Sequence, residues 1–218
     1  MAGIWRCAPH NQEMDTSPDV AESKLIAGFW QVVALRGWHG VTMARVAAEA
    51  GTTLAALRER FASPLDLLRL DGRIADKAVL AGTIAGQGGS ARDRIFDVLM
   101  RRLDTMQPHR AGIERLLDDA KRDPFLALFL GQRMLGSMGW MLEAAELDSS
   151  FPSGSWRAPG LAVVWLATLR AWHGDDSPDL GATMAALDRA LDRAEGIARS
   201  LHLPIADAEP EDAAAPSP

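Results

Sequence analysis

The sequence predicts an all-α protein, and three observations support this. Strand-forming residues are scarce, with no Tyr in 218 residues, while helix-favouring Ala, Leu and Arg are abundant. A capping residue followed by proline recurs, and proline at the first helical position loses no needed N–H. These pairs are Ser17-Pro18, Ser63-Pro64, Asp123-Pro124 and Ser177-Pro178. Between them, apolar residues recur at helical spacing.

About nine helices are predicted, four of them in the first part of the chain. The first four span residues 19–36, 43–50, 54–60 and 64–85. Thr42 can cap the second helix, and Gly51 can end it because glycine tolerates positive φ. Thr52 and Thr53 precede the third helix, and Ser63-Pro64 begins the fourth.

The remaining five helices follow from capping signals and apolar stripes. They span residues 91–106, 108–121, 124–147, 156–173 and 178–201. Ser90 with Asp93 resembles a capping box at the start of the fifth helix. Helix 124–147 is apolar nearly all round, which predicts burial on most sides. The last helix carries a narrow stripe typical of a helix–helix seam, formed by Met184, Leu187, Leu191, Ala194, Ile197 and Leu201.

Composition predicts a soluble cytoplasmic protein. The leader has neither an apolar segment nor an arginine run, so it does not resemble a targeting signal. No uncharged apolar run approaches the ~20 residues that a transmembrane helix needs. Cys7 is the single cysteine, which excludes a disulfide within the chain.

Charge and composition divide the chain into four segments. Residues 1–18 are predicted to be a disordered leader, and residues 203–218 a disordered acidic tail. Between them lie a helix-turn-helix segment, 19–64, and a larger helical domain, 65–202. The net charge of −6 argues against a protein that coats nucleic acid. Residues 20–73 carry seven Lys/Arg and five Asp/Glu, so this segment tolerates a phosphate backbone.

Two short helices joined by a glycine turn predict a helix-turn-helix. A longer amphipathic helix precedes them, and in this arrangement the second short helix enters the major groove of DNA. An ordinary helical hairpin within a bundle is the alternative that spacing alone leaves open.

The same segment resembles the N-terminal domain of the TetR family of bacterial transcriptional regulators. The matching residues are Ile26, Ala27, Phe29, Gly37, Val41, Thr42, Met43, Val46, Ala47, Ala50, Gly51, Leu57, Phe61, Ser63, Leu67 and Leu68. The resemblance implies an all-helical homodimer with an N-terminal DNA-binding domain. It also implies a larger domain that holds a small apolar ligand and dimerises through the last two long helices.

The predicted DNA-contacting residues depart from this family's pattern. They are Thr42, Arg45, Thr52, Thr53, Arg58 and Arg60. TetR-like proteins usually carry a tyrosine where this chain has Arg58, and a lysine where it has Pro64. Tight binding typically needs ~6–10 phosphate contacts. We therefore expect weak or conditional binding to a double-stranded DNA operator, unless the arginines are merely solvated.

A second resemblance covers the C-terminal half. Residues 92–117, 137–147 and 161–191 are similar to ubiquinone-biosynthesis accessory proteins that share the TetR fold. The pattern is matched by Asp175, Ser177, Asp179, Thr183, Asp188 and Arg189. The resemblance implies a lipid- or quinone-binding protein that has lost DNA binding and serves a partner hydroxylase. The acidic tail lacks the hydrophobic face that this family's membrane-contacting last helix would need.

The larger domain is predicted to bind an apolar ligand or lipid and to dimerise. The candidate ligand-binding residues are Phe96, Met100, Met134, Met138, Trp140, Met141 and Trp165, with ordinary core packing as the alternative. Gly131, Gly136 and Gly139 predict that another group approaches closely. Arg133 should need a carboxylate or a ligand head group. The candidate dimerisation residues are Met184, Leu187, Leu191 and Ile197.

Neither a catalytic constellation nor a cofactor motif is evident. The five histidines are scattered without metal-ligand spacing, and no second cysteine completes a thiolate site. We therefore expect no enzyme, metal or cofactor. The leading hypothesis is a TetR-like regulator responding to a small apolar ligand, and the alternative is the lipid- or quinone-binding accessory protein.

Overall fold

The computed structural model describes residues 18–84, 86, 88–148 and 154–201, which form nine α-helices and no strand. The helices are α1 Pro18–Arg36, α2 Met43–Ala50, α3 Leu54–Arg60, α4 Pro64–Ala81, α5 Ala91–Met106, α6 Arg110–Ala120, α7 Pro124–Ala144, α8 Arg157–Trp172 and α9 Gly181–Ser200. Short 3₁₀ turns, Trp38–Gly40 and Gln107–His109, precede α2 and α6. The all-α prediction is confirmed. The predicted tail, and the leader up to residue 17, lie outside the described residues.

Side chains cap the helices where the sequence predicts them to. Asp123 Oδ1 accepts a hydrogen bond from Leu126 N at 3.0 Å at the start of α7. Asp66 Oδ2 accepts from Ser63 N at 2.9 Å at the start of α4. Such caps satisfy N–H groups that the first turn of a helix leaves without a partner.

The helix start predicted at Ser177-Pro178 is wrong, because α9 begins at Gly181. Ser177 instead donates its hydroxyl and its backbone N–H to the buried carboxylate of Asp175. The other oxygen of this carboxylate accepts from Thr183 N at 2.8 Å and from Thr183 Oγ1 at 2.7 Å. These hydrogen bonds hold the pKa of Asp175 well below its usual range. An ionised Asp175 thus fixes the loop that carries the chain from α8 into α9.

Helix α1 belongs to both parts of the molecule. It packs against α2 in the N-terminal helix-turn-helix and against α6 in the larger domain. A Cβ built at Gly28 would lie 2.9 Å from Ala50 N, so glycine lets α1 and α2 approach closely. Helix α1 therefore joins the helix-turn-helix to the larger domain.

Helix α7 is not buried on most sides, contrary to the sequence prediction. Phe125 is 70% exposed and Leu128 is 63% exposed. Arg133 is exposed as well, so it does not require a buried carboxylate. The predicted close approach of a neighbouring helix to Gly131, Gly136 and Gly139 is also wrong within one chain. Apart from the adjoining residues of α7 itself, no atom lies within 4 Å of a Cβ built at these glycines. Helix α7 packs against α4, α5, α6 and α8, and these neighbours leave Phe125 and Leu128 uncovered.

Among the described residues, no helix combines the length and the apolar character needed to cross a membrane.

Candidate functional site

The helix-turn-helix has the predicted geometry. Gly51 ends α2 in the left-handed conformation, with φ of 66°. The hydroxyls of Thr42 and Thr53 accept hydrogen bonds from Arg45 N at 3.3 Å and Ala56 N at 3.1 Å. Both threonines therefore cap the short helices, and Thr52 between the helices is exposed.

The three predicted arginines differ in their surroundings. Arg45 donates to the carbonyl of Gly40. Arg60 forms an ion pair with Glu22 of α1. Arg58 is exposed on α3, and no hydrogen bond or ion pair from the described residues engages it. Arg58 is therefore the arginine of this set that is most available to a phosphate.

Helix α3 is held by one buried side chain and presents the others to solvent. Leu57 is buried and belongs to the same hydrophobic core as Val46 of α2 and Phe29 of α1. The neighbouring positions Arg58 and Arg60 are exposed. This orientation suits a helix that enters a DNA groove.

The larger domain contains a cavity of about 420 Å³ between α1, α4, α5, α6, α7 and α8. Its walls are mainly apolar, with contributions from Ile113, Leu116, Leu117, Phe129, Leu130, Met134, Met138, Trp165 and Leu169. A volume of this size fits a small molecule.

The cavity includes only some of the residues predicted to bind a ligand. Met134, Met138 and Trp165 line it. Met141 is fully buried in the core instead, and Trp140 lies in a separate surface groove. Phe96 and Met100 are partly buried on α5 and pack against the core without lining the cavity. Nearby positions on α5 and α7 face different neighbouring helices. The sequence alone does not show which of these positions face the cavity.

The cavity has a polar end that sequence reasoning missed. Asp76 Oδ1 accepts from Arg102 Nη1 and from Ser137 Oγ, each at 2.6 Å. Asp71 Oδ1 accepts from Trp30 Nε1 at 2.9 Å. No sequence signal distinguishes Arg102 from its neighbour Arg101, because charged residues on an amphipathic helix usually face solvent.

Burial shifts the pKa values of three groups at this polar end. It raises the pKa of Asp71, although the hydrogen bond from Trp30 and the nearby His109 and Arg102 act in the opposite direction. It lowers the pKa of the Arg102 guanidinium, which Asp76 and Asp71 oppose. It also lowers the pKa of His109, opposed by Asp71. Each shift disfavours the charged form, as expected for groups taken out of water.

Two contacts connect the cavity to the helix-turn-helix. The Trp30 indole, on α1, lines the cavity and stacks on His109 with ring centroids 6.2 Å apart. Trp38 N, in the turn that follows α1, donates to Asp119 Oδ2 of α6 at 2.6 Å. A change in the cavity can therefore reach α1 through Trp30 and through α6.

The four residues predicted for dimerisation lie in different environments. Leu187 and Leu191 are buried within the single chain, where α9 packs against α8 and α5. This burial contradicts the prediction that they contact a second copy of the chain. Met184 is partly buried. Ile197 is 60% exposed. The periodic stripe on α9 thus mainly forms the core of one protomer.

Several residues that carry the resemblance to the ubiquinone accessory proteins have local structural roles. Asp175 and Thr183 hold the loop before α9. Asp188 pairs with Arg92 of α5 at 2.6 Å, joining α9 to α5. These contacts explain the pattern without a lipid.

Comparisons with known proteins identify the fold. No protein-family model matches the sequence, and no curated protein sequence is significantly similar to it. Among solved structures, a TetR transcriptional regulator from Nitrosomonas europaea is similar, with a TM-score of 0.64 and 20% identity over 80% of this chain and 98% of the other. A protein ascribed to the TetR family of transcription regulators from Shewanella sp. PV-4 has a TM-score of 0.53 and 16% identity over 79% of this chain and 97% of the other. The chain therefore has the TetR fold.

Proposed function

We propose that this protein is a homodimeric transcriptional regulator that binds DNA through α3 and responds to a small ligand in the cavity. The observation that carries the proposal is a helix-turn-helix with Arg58 exposed on its second helix, joined through α1 to a ligand-sized cavity. The TetR fold supports this role, since the two solved structures described above are a TetR transcriptional regulator and a protein ascribed to the TetR family of regulators. No enzymatic activity is part of the proposal.

The ligand response would act through α6 and α1. A ligand in the cavity would contact Ile113 and Leu116 of α6 and the indole of Trp30 on α1. A shift of α6 would also move Asp119, which holds Trp38 next to the helix-turn-helix. In a dimer, such shifts would change the distance between the two α3 helices, and DNA affinity would change with it.

DNA binding is tested by a mobility shift with DNA from upstream of the protein's own gene. We expect Arg58→Ala to weaken binding about ten-fold at about 100 mM salt, and to reduce the salt slope by about two in a dimer. Glu22→Gln should strengthen binding instead, because it frees the charge of Arg60 from its ion pair. No binding of the unaltered protein even at about 50 mM salt, where phosphate contacts are strongest, would remove the regulator proposal.

The dimer is proposed to form on the outer face of α8 together with α7. Val163 of α8 and Leu128 of α7 are largely exposed, whereas on α9 the exposed Ile197 stands beside the exposed charged residue Arg193. Exposed apolar surface of this kind marks an interaction site. The open space around the glycines of α7 would allow close packing of a second copy.

The dimer surface is tested with Val163→Glu and Leu128→Glu. Each substitution introduces a charge into the proposed interface, so we expect light scattering to show a monomer of about 23.5 kDa where the unaltered protein is a dimer. Leu35→Glu is the matched control, since Leu35 is a similarly exposed leucine on α1. Unchanged dimerisation of both variants would place the interface elsewhere.

The lipid- or quinone-binding alternative has no support from the solved structures described above, and no feature of the cavity favours it. If the protein binds DNA and Arg58→Ala weakens this binding, then DNA binding has not been lost. This result would exclude the lipid- or quinone-binding alternative, which requires that loss.

A further inference from the structure

At the polar end of the cavity two carboxyl groups and one guanidinium are largely shielded from water, and a second guanidinium lies exposed in the cavity lining. Asp71 and Asp76 come from α4, and Arg102 comes from α5. The 3₁₀ turn contributes His109, whose lowered pKa favours the neutral form. Helix α7 adds the exposed Arg133 at the cavity lining, where water screens its charge. The cavity-lining residues of α6 and α8 are uncharged.

The two carboxylates differ in the number and the charge of their hydrogen-bond donors. Asp76 has a charged partner in Arg102 and a second donor in Ser137. Asp71 receives one hydrogen bond, from the neutral indole of Trp30. When Asp71 is ionised, the buried Asp76 and the partly buried Asp71 and Arg102 together carry a net charge of −1. An uncompensated charge out of water is unfavourable, so Asp71 needs either a proton or a cation.

We propose that the cavity binds an apolar amine whose ammonium group pairs with the Asp71 carboxylate. An ammonium would bring the polar end to neutrality, whereas a ligand carboxylate would add a second unpaired negative charge. The walls formed by residues such as Met134, Met138 and Leu169 would cover the apolar remainder of the ligand. This inference rests on the ligand-binding role proposed above and names the chemical class of the ligand.

The pairing predicts a definite pH dependence. Burial raises the pKa of Asp71, so the empty cavity stabilises the neutral acid relative to water, whereas the amine pairs with the ionised form. Amine affinity should therefore fall as the pH decreases through the pKa of Asp71. Binding of an uncharged alcohol of the same shape should not follow this curve.

Three matched probes test the proposal by calorimetry on the full chain. They are 4-phenylbutylamine, 4-phenylbutan-1-ol and 4-phenylbutanoate, which share one apolar body and differ in the head group. At pH 7 we expect the amine to bind at least about ten-fold more tightly than the alcohol, and the carboxylate to bind most weakly, since a buried ion pair with hydrogen bonds outweighs a neutral contact.

Asp71→Asn separates ligand binding from a structural role. The amide oxygen can still accept from Trp30 Nε1, while the buried charge is gone. We expect the amine to bind no better than the alcohol, the pH dependence to disappear, and the melting temperature at pH 7 to stay equal or rise. Asp104→Asn, at an exposed position of α5, is the control and should change neither binding nor stability.

Several results would overturn the inference. These are equal binding of amine and alcohol, tightest binding of the carboxylate, no binding of any probe, and an unchanged amine preference in Asp71→Asn. The mobility shift without a probe is an independent measurement. If the protein binds the amine but not DNA, the amine inference holds and the regulator proposal fails. If it binds DNA but shows no preference for the amine, the regulator proposal holds and the amine inference fails.

Discussion

Asp76→Ala should lower the free energy of unfolding by about 3 kcal/mol, because the largely buried Arg102 guanidinium loses its hydrogen-bonded partner and retains only the nearby charge of Asp71. The substitution also removes the acceptor of the Ser137 hydroxyl, which is buried on α7. The measurement is equilibrium unfolding in urea at pH 7, followed by circular dichroism.

The control for Asp76 removes both charges together. The double variant Asp76→Ala/Arg102→Met replaces the ion pair with apolar groups, so it should be clearly more stable than Asp76→Ala alone. If the single and the double variants are equally destabilised, the unpaired charge of Arg102 is not the cause. Loss of the Ser137 hydrogen bond or a packing defect would then account for the effect.

Gly112→Ala should lower the free energy of unfolding by about 1–3 kcal/mol, since it overpacks the contact between α6 and α1. A Cβ at Gly112 would lie 2.7 Å from the carbonyl oxygen of Trp30 and 2.9 Å from its indole Cε3. The backbone of Trp30 and its indole ring, which packs against Phe29 and His109, can move away from an added Cβ only at a cost in free energy. We expect the altered α1–α6 contact also to weaken any effect of a ligand on DNA binding.

Gly72→Ala is the matched control for Gly112→Ala. Gly72 also lies within a helix, but no atom is within 4 Å of a built Cβ. Alanine there should be neutral or should stabilise the protein by up to about 1 kcal/mol, as its helix propensity is higher. Equal destabilisation of both variants would show that contact with Trp30 is not responsible.

Helix positions were predictable from sequence because their signals are local. Asp123 and Asp66 each accept from an N–H group three residues away, of Leu126 and Ser63 respectively, and Gly51 needs only its own backbone freedom. The exception is Ser177, whose hydroxyl bonds to Asp175 and not to a helix start. Two nearby polar groups competed there, and local spacing does not determine which bond forms.

The residues that line the cavity were less predictable because they depend on which helix faces meet. Met134 and Met138 were identified as ligand-binding candidates, while Met141 belongs to the core and Trp140 to the surface. All four share the same apolar character. Leu187 and Leu191 were assigned to a dimer seam for a similar reason, although α8 and α5 already cover them.

The sequence by itself determined the all-α class, the helix-turn-helix and the position of Arg58 on its second helix, since these follow from capping, periodicity and spacing within a few residues. Tertiary structure alone brought Asp71, Asp76, Arg102 and Ser137 to one end of a cavity, from three helices and across as many as 66 positions of sequence. It also paired Arg60 with Glu22, whereas no described residue forms an ion pair with Arg58. The physical reason is that charge compensation and burial depend on distances in space, and helix packing sets those distances.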